Sequence, residues 1–362
     1  MSRVCRGKPH RPYPVTQERV RAMCVCWMCV CCDAGAGTGD VCLRTDLPPV
    51  HNLICVLDWG LGHASRSLAL AARLEAAGQR VSWASSGPAA ELLRRELPGR
   101  TVHELPPYVV RYPTGNMVWN VATQLPRWLS TIRAEHRTLA RLADRLRPDR
   151  IISDSRFGCY HPEVTSVFLT HQLHPITGFP PAEWLYRRYL TAHYREFWVP
   201  DEPAPDRTRG LLSGQLSATA GYPEVTFLGP LSKLGSCGRA QSDERFDVLL
   251  LLSGPEPART KFEAGQIARF AATNQRVALV RGLPAHTAAP AIPDHWSLWN
   301  YAGSGQLRNL ILSSDRIVCR PGYSTLMDLH QLGRLDRSVE LHPTPGQTEQ
   351  LYLSGWVKNN FQ

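Results

Sequence analysis

Two turns of the sequence place glycine beside residues that could bind an anion or move a proton. In DWGLGHASRS, Gly60 and Gly62 precede a helical pattern and His63 follows them directly. Glycines allow close approach of a ligand to the backbone, and the free N–H groups of a helix start bind phosphate or another oxyanion. The His63 imidazole could act as a general base or bind an acceptor hydroxyl, or it could simply pack the turn.

In RPGYSTLMDL, Pro321 and Gly322 predict a sharp turn, and Ser324 and Thr325 offer hydroxyls at a helix start. Asp328 lies one helical turn further on, a separation suited to holding a ribose while the helix amides hold its phosphates. The alternative is structural, because Thr325 and Asp328 have the spacing of a capping box.

A third loop, PTPGQTEQLYL, crowds Gln347, Glu349 and Gln350 at the start of the last helix. Amide and carboxylate groups so placed suit sugar hydroxyls, which need paired donors and acceptors. Glu349 alone would also fit a solvated helix start. In LLSGPEPART, Ser253 and Gly254 follow an apolar run, which indicates either a phosphate-binding turn or a tight turn with no ligand.

These turns belong to a regular alternation of short apolar runs and helical patterns that begins at His51. Alternation at this length predicts parallel sheets with right-handed crossovers, and ligands then bind where the carboxyl ends of the strands open. We therefore predict an α/β fold with two doubly wound, Rossmann-like domains facing each other across a cleft. The predicted boundaries are an extension over 1–48, a first domain over 49–200, a linker region over 201–244 and a second domain over 245–362.

Composition narrows the class of protein. The 362 residues are 43% hydrophobic and 20% charged, and no apolar run is long enough to cross a bilayer. The net charge of +10 favours acidic partners. Because the arginines are dispersed along the chain, we expect no nucleic-acid partner. Neither do we expect a nicotinamide cofactor, since the second strand ends in Ser85 and Ser86 without the ribose-binding acid.

Seven of the 11 cysteines lie in the first 50 residues, and the others are scattered, which is typical of a reduced, cytoplasmic protein. Cys26 and Cys29 form a C-x-x-C pair, but no second pair follows at zinc-site spacing. The extension could also be a signal peptide. We favour a disordered extension or an upstream start-site artefact over both.

Together the motifs CRPGYSTLMDL, PTPGQTEQLYL and WGLGHASRSLALA resemble the two-domain GT-B glycosyltransferases. The greatest resemblance is to the family 28 carboxyl-terminal domain proteins, which are related to the bacterial UDP-N-acetylglucosamine transferase of lipid II synthesis. It covers about residues 51 to 360. It implies inverting, metal-independent transfer of a sugar, N-acetylglucosamine in the first instance, from a UDP-sugar bound by the second domain to an acceptor bound by the first.

The resemblance also implies roles for individual residues. Asp328 stands where the family binds the ribose hydroxyls, and Gln347 and Gln350 stand at donor-sugar positions. The remaining matches are Gly322, Ser324 and Thr325 at the diphosphate-binding helix start, Gly62 and His63 at the end of the first glycine loop, and His171 and Gln172 near the acceptor.

Such a transfer needs a base for the acceptor hydroxyl and stabilisation of the departing diphosphate. We assign the first role to His63 and the second to the helix start and Arg320, with no metal. The acceptor would be a glycan or a lipid-linked molecule. A UDP-sugar epimerase of the same fold and a non-catalytic nucleotide-sugar-binding subunit remain alternatives.

The segment at 116–142 mixes Trp119 and Trp128 with Arg127, Arg133 and Arg137. It could lie against the anionic inner face of a membrane and deliver a lipid-linked acceptor, or it could be a core helix with solvated arginines. Both interpretations are compatible with a cytoplasmic protein. The first adds peripheral contact with the membrane.

Overall fold

The computed structural model describes residues 49–108, 117–177, 179–235, 244–254, 256–283 and 288–362, with the side chains of 117–125 left aside. The predictions for the extension over 1–48 lie outside the described residues. Residues 49–362 form one compact unit. Within it, two parallel sheets flanked by helices confirm the predicted α/β fold.

The N-terminal half is built on a seven-stranded sheet with the order β3-β2-β1-β4-β5-β6-β7. All of its strand pairs are parallel, so the carboxyl ends of the strands share one edge. Its strands are β1 (His51–Val56), β2 (Arg80–Ser85), β3 (Val102–Glu104), β4 (Arg150–Asp154), β5 (Thr165–Leu169), β6 (Glu196–Val199) and β7 (Val225–Phe227). The edge strand β7 comes from the segment predicted as a linker.

The C-terminal half is built on a five-stranded parallel sheet with the order β10-β9-β8-β11-β12. Its central strands are buried apolar runs, as expected for a sheet covered on both faces. Its strands are β8 (Phe246–Leu251), β9 (Val277–Val280), β10 (Ser297–Trp299), β11 (Ser314–Cys319) and β12 (Val339–Leu341).

Most helices connect consecutive parallel strands. The helices are α1 (Leu61–Ala76), α2 (Gly87–Glu96), α3 (Met117–Leu146), α4 (Pro180–His193), α5 (Ala258–Phe270), α6 (Ser304–Leu312), α7 (Tyr323–Gln331) and α8 (Thr348–Phe361). Across the described residues, none of them is long and apolar enough to cross a membrane.

One buried apolar cluster runs through both halves and includes Ala64 of α1 and Leu326 of α7. The last helix also returns to the N-terminal half: Trp356 Nε1 donates to Leu211 O at 2.9 Å, and Tyr352 Oη accepts from Gln215 N at 2.9 Å. The carboxyl edges of the two sheets therefore meet across a packed interface, which sets the positions of the polar turns described next.

Candidate active site

A histidine–carboxylate pair lies at the carboxyl edge of the first sheet. His63 is in the first turn of α1, and Asp154 is the last residue of β4, the strand that pairs with β1. The His63 Nδ1 atom lies 2.8 Å from Asp154 Oδ1. Arg66 Nη2 also lies 2.9 Å from His63 Nδ1, so the carboxylate and the guanidinium compete for this atom. A proton on Nδ1 points to the carboxylate and leaves the Nε2 lone pair without a hydrogen bond from the described residues, whereas a proton on Nε2 leaves Nδ1 to accept from Arg66. The first tautomer has the geometry of an oriented general base.

Asp154 is fully buried and is held in its ionised form by its neighbours. Arg66 Nε lies 3.1 Å from each carboxylate oxygen, Arg66 Nη2 also contacts Oδ1, and the Ser67 hydroxyl donates to Oδ2 at 2.8 Å. Burial by itself would raise the pKa of Asp154, but the Arg66 charge and the hydrogen bonds from His63 and Arg66 outweigh it and hold that pKa well below its usual range. The carboxylate is therefore a permanent acceptor for the His63 proton.

The pKa of His63 is lowered, first because the ring is buried and second because the Arg66 charge lies beside it. Asp154 opposes both effects without overcoming them. His63 is therefore neutral at neutral pH and able to accept a proton.

A second histidine links the two halves. His171 follows β5, and its Nε2 lies 2.8 Å from Oε1 of Glu349 in the first turn of α8. Its Nδ1 lies 3.2 Å from Arg66 Nη1. Because a guanidinium only donates hydrogen bonds, this nitrogen must be the acceptor, and the His171 proton must sit on Nε2 and point to Glu349.

Glu349 carries a lowered pKa. Burial raises it, but hydrogen bonds from His171 and Gln172 outweigh that effect. The residues predicted from both halves, His63, His171, Gln172 and Glu349, thus lie in one cluster.

The start of α7 reaches the same cluster. The ring of Tyr323 stacks on His171 with centroids 4.0 Å apart and planes 7° from parallel, and its hydroxyl donates to Pro200 O at 2.8 Å. A Cβ added at Gly62 would lie only 2.5 Å from Ser324 Oγ. Gly62 is therefore a position of close approach between the two halves, whereas the sequence predicted close approach of a ligand.

The capping box that was the alternative for Thr325 and Asp328 does not form, because the N-cap of α7 is Gly322, three residues before Thr325, and has no side-chain cap. Burial raises the pKa of Asp328 to about 6, although Ser232 and Lys233 lower it. A half-buried carboxyl beside an uncapped helix start retains the arrangement expected for a ribose site.

Other predicted donor residues hold the local backbone in this structure. Arg320 Nη1 donates to His342 O at 2.8 Å and to Pro343 O at 2.9 Å, and Gln350 Oε1 accepts from Thr344 N at 2.7 Å. Both side chains therefore stabilise the loop that leads to α8. Both of these contacts use the Nη1 group of Arg320, which is thereby committed to carbonyl groups.

The last predicted residues lie at the ends of other turns. Gly60 and Gly254 adopt φ of 103° and 106°, a region that favours glycine. Ser253 and Gly254 follow β8, and Gln347 is the N-cap of α8. No hydrogen bond within the described part of the chain joins Ser253, Gly254 or Gln347 to the His171 cluster.

Three important residues were not predicted: Asp154, Arg66 and Tyr323. Asp154 had a usable signal, an acid that ends the apolar run RIISD at the predicted carboxyl edge. Arg66 had none, since a single arginine in the pattern GHASRS is typical of a solvated helix face. Tyr323 lay within the predicted turn, but only the structure shows that its ring stacks on His171.

No protein-family model matches the chain, and no curated protein matches it significantly. Several solved structures, however, match the chain. The spinosyn rhamnosyltransferase SpnG is 14% identical with a TM-score of 0.59, the match covering 84% of each chain. The Arabidopsis thaliana protein UGT89C1, complexed with UDP-L-rhamnose, is 13% identical over 86% of this chain and 83% of its own, with a TM-score of 0.54. The kitacinnamycin glycosyltransferase is 17% identical over 86% and 85%, with a TM-score of 0.53. The chain therefore has the two-sheet GT-B fold of glycosyltransferases.

Proposed function

We propose that the chain is a glycosyltransferase that moves a sugar from a UDP-sugar to an acceptor hydroxyl with inversion at the anomeric carbon. The observation that carries this proposal is the His63–Asp154 pair, which lies close enough to Glu349 of α8 to affect its pKa and next to Gly62, the point of close approach to Ser324 of α7. An oriented base on one half and an uncapped helix start with a buried acid on the other are the two parts that such a transfer needs.

In the proposed reaction, Nε2 of His63 takes the proton from the acceptor hydroxyl as its oxygen attacks the anomeric carbon. The bond between that carbon and the diphosphate oxygen breaks, and the electron pair leaves with the UDP. Asp154 stabilises the imidazolium that forms, and the N-terminus of α7 stabilises the charge on the diphosphate. No metal ion enters this scheme.

Two carboxyl groups would orient the donor. Asp328, one turn into α7, would accept hydrogen bonds from the ribose hydroxyls. Glu349, which His171 holds beside the base, would accept from hydroxyls of the transferred sugar. We propose N-acetylglucosamine as the first sugar to test, on the motif resemblance described above, and a glycan or lipid-linked acceptor. The UDP-L-rhamnose bound to UGT89C1 supports a nucleotide-sugar donor more generally.

The test is a panel of UDP-sugars and dTDP-sugars in two stages. Thermal unfolding detects binding, because a ligand at 100 times its Kd stabilises the native state by about 2.7 kcal/mol. UDP release is then measured with and without candidate acceptors. UDP released only with an acceptor supports transfer, whereas an altered UDP-sugar formed without an acceptor would establish an epimerase instead. Binding without any turnover would favour the binding subunit.

The variant His63→Ala tests the base. We expect donor binding to persist and acceptor-dependent UDP release to fall by about 10²–10⁴-fold, the range typical of a lost general base. The matched control is His295→Ala, which removes an exposed histidine remote in sequence from these turns and should leave both readouts unchanged. Unchanged turnover in His63→Ala would show that another group is the base.

A further inference from the structure

Four arginines form a row along the outer face of α3. They recur every four residues, so each lies about one helical turn from the next, and all of them are exposed: Arg133, Arg137, Arg141 and Arg145. We call these four the arginine row. From its first to its last member the row extends over about 18 Å of helix axis, at 1.5 Å per residue.

The opposite face of α3 is buried against the first sheet. Leu139 and Leu142 belong to one apolar cluster with Ile151 of β4. On the same buried side, Oε1 of Glu135 accepts a hydrogen bond from Arg156 Nη1 at 2.7 Å. This packing agrees with a core helix whose arginines are solvated, one of the two interpretations of the segment at 116–142. The arginine row therefore faces solvent because the core fixes the orientation of the helix.

The charge of the arginine row is not balanced by neighbouring acids. Within the described chain, no carboxylate is in ion-pair contact with any of the four guanidinium groups, and exposed Asp144 of the same helix pairs with none of them. The recorded contacts are neutral: Arg137 Nε donates to Arg133 O at 3.3 Å, and Arg145 Nη2 donates to His103 Nδ1 at 3.1 Å. Like charges four residues apart repel each other and weaken a helix. An uncompensated row of this kind indicates a surface that meets an anionic partner.

The arginine row starts close to the candidate site. Trp128, about 7.5 Å before Arg133 along the helix axis, contacts Trp59 with ring centroids 6.2 Å apart. Trp59 is 43% exposed and lies on the glycine turn that carries His63. Because α3 ends at Leu146, shortly before β4 begins, the row leads from the carboxyl edge of the sheet towards its amino edge. A polymer lying along the row would therefore have one end beside the base.

On this basis we propose that the arginine row binds the chain of an acidic glycan, and that the sugar at the end of this glycan is the acceptor. Uronate carboxylates suit the row, since a guanidinium offers a carboxylate two parallel N–H donors. In the transfer, a hydroxyl of the end sugar loses its proton to His63 and bonds to the anomeric carbon as UDP leaves. The acceptor role rests on the proposed function, whereas binding of the glycan to the row does not.

Other anionic partners fit the arginine row less well. A protein partner and a bilayer surface both need apolar contacts, but the described stretch 130–146 exposes no large apolar side chain. Single-stranded nucleic acids are held by aromatic rings on which the bases stack, and this stretch exposes no such ring. A glycan whose carboxylates are displayed along its chain needs only the charges that the row supplies.

The experiment compares oligogalacturonates with malto-oligosaccharides of the same lengths. Calorimetry on the full chain, without a donor, measures binding. We expect the acidic oligomers to bind and the neutral ones not to bind, with an affinity that falls with salt because the charges are exposed. The affinity should rise with oligomer length until the oligomer covers the row, about 18 Å. UDP release from a UDP-sugar then measures turnover, and KM should be lower for the acidic acceptor than for the neutral one.

Two double variants separate the arginine row from net charge. Arg137→Glu/Arg141→Glu turns two attractions into repulsions, so it should weaken binding and raise the acceptor KM about tenfold or more. Its kcat should stay unchanged, because neither residue is at the reacting atoms. The matched control Arg207→Glu/Arg245→Glu makes the same charge change at two exposed arginines remote in sequence from α3 and should behave as the wild type. Urea unfolding reports that each variant is folded.

Several results would overturn the proposal. Oligogalacturonate could bind no more tightly than malto-oligosaccharide, or the Arg137/Arg141 variant could bind it as well as the wild type does. Tighter binding of an oligonucleotide, or of phosphatidylglycerol vesicles, that the same variant abolishes would identify a different polyanion as the partner. Transfer to a neutral acceptor but not to the bound acidic oligomer would refute the acceptor role. Binding of the acidic oligomer without UDP release on any acceptor would instead refute the proposed function and leave the row's ligand established.

Discussion

Replacing Gly62 by alanine should separate the two halves at the candidate site. The new Cβ would lie 2.5 Å from Ser324 Oγ and 3.0 Å from Ser324 Cβ, and because both atoms are close, rotation of the serine does not clear the space. In an open helix position the same substitution stabilises a protein by about 0.5–1 kcal/mol. Overpacking of a well-packed contact costs about 1–3 kcal/mol, so the two effects oppose each other here.

The matched control is Gly265→Ala in the middle of α5, where an added Cβ meets nothing within 4 Å. Because both variants gain the same helix propensity, the difference between their free energies of unfolding isolates the steric cost. We expect Gly62→Ala to be the less stable of the two by about 1–3 kcal/mol in urea unfolding.

The effect on turnover should be larger than the effect on stability. Ordinary contacts begin near 3.4 Å, so the interface must open by about 0.4 Å to clear Ser324 Cβ, and by about 0.9 Å if the Ser324 hydroxyl keeps its rotamer. A misplacement of about 1 Å between a base and a bound donor can lower kcat/KM by about 100-fold. Gly62→Ala should therefore release UDP from a UDP-sugar far more slowly in the presence of an acceptor, while Gly265→Ala keeps the wild-type rate.

Ser324→Gly removes both atoms that the new methyl group would meet. We expect the double variant Gly62→Ala/Ser324→Gly to recover the turnover of Ser324→Gly alone. If Gly62→Ala instead gained as much stability as Gly265→Ala and kept its turnover, the halves would not meet at Gly62 and Ser324 in the active form. Loss of turnover without recovery in the double variant would show that Gly62 acts through its own backbone conformation.

Three further predictions concern the titratable groups. Because burial raises the pKa of Asp328 to about 6, from 3.8 for a free side chain, its stabilising contribution is present below pH 4 and is lost as the pH rises to 6. Asp328→Asn should therefore be more stable than the wild type at pH 8, by at most about 3 kcal/mol, yet it should bind UDP more weakly in calorimetry. The control Asp315→Asn, at an exposed position, should change neither the stability nor the affinity for UDP. Since burial and Arg66 lower the pKa of His63, kcat/KM should fall with acid only below pH 6.5, and an acid limb above that value would contradict the assignment of the base. Glu349→Gln keeps the size of the side chain but removes its charge, so it should weaken binding of a UDP-sugar more than binding of UDP; equal weakening would place Glu349 away from the sugar.

The parallel α/β fold follows from the sequence because burial on both faces requires continuous apolar runs, and helical spacing separates them. Runs such as VLLLL and RIVC identify β8 and β11 at once. Strand β7 could not be found this way: its three residues VTF lie in a stretch rich in Pro, Gly and Ser, and their pairing with β6 is set by tertiary contacts.

The site was predictable where one short motif contains both the turn and the functional side chain. His63, His171 and Glu349 each follow a turn at the carboxyl edge, so their residue types were sufficient. The partner of His63 could not be predicted, because Asp154 is 91 residues away and the contact exists only if β4 lies next to β1. Strand order is a property of the whole sheet and leaves no local mark in the sequence.

Polar residues near a ligand site pose a further difficulty, since a motif does not reveal which groups already have partners. Arg320 and Gln350 have the chemistry to bind a diphosphate or a sugar, but backbone groups of the loop at 342–344 use those donors and acceptors. Satisfying these buried backbone groups keeps the loop in place, and Glu349 depends on that loop for its position. In this structure Arg320 and Gln350 therefore act on the loop that leads to α8.

Arg66 shows how the parts of the site depend on one another. It is the buried cation that fixes the ionised state of Asp154, and the donor that fixes the proton of His171 on Nε2. The first effect keeps a charged acceptor beside His63 Nδ1, an atom that Arg66 Nη2 itself approaches to 2.9 Å, and the second directs a proton to Glu349 of the other half. Because a guanidinium keeps its charge at any physiological pH, both effects persist across the working range of the base. One buried side chain therefore couples the orientation of His63 to the position of Glu349, and a lysine, with no planar fork, could not serve both partners at once.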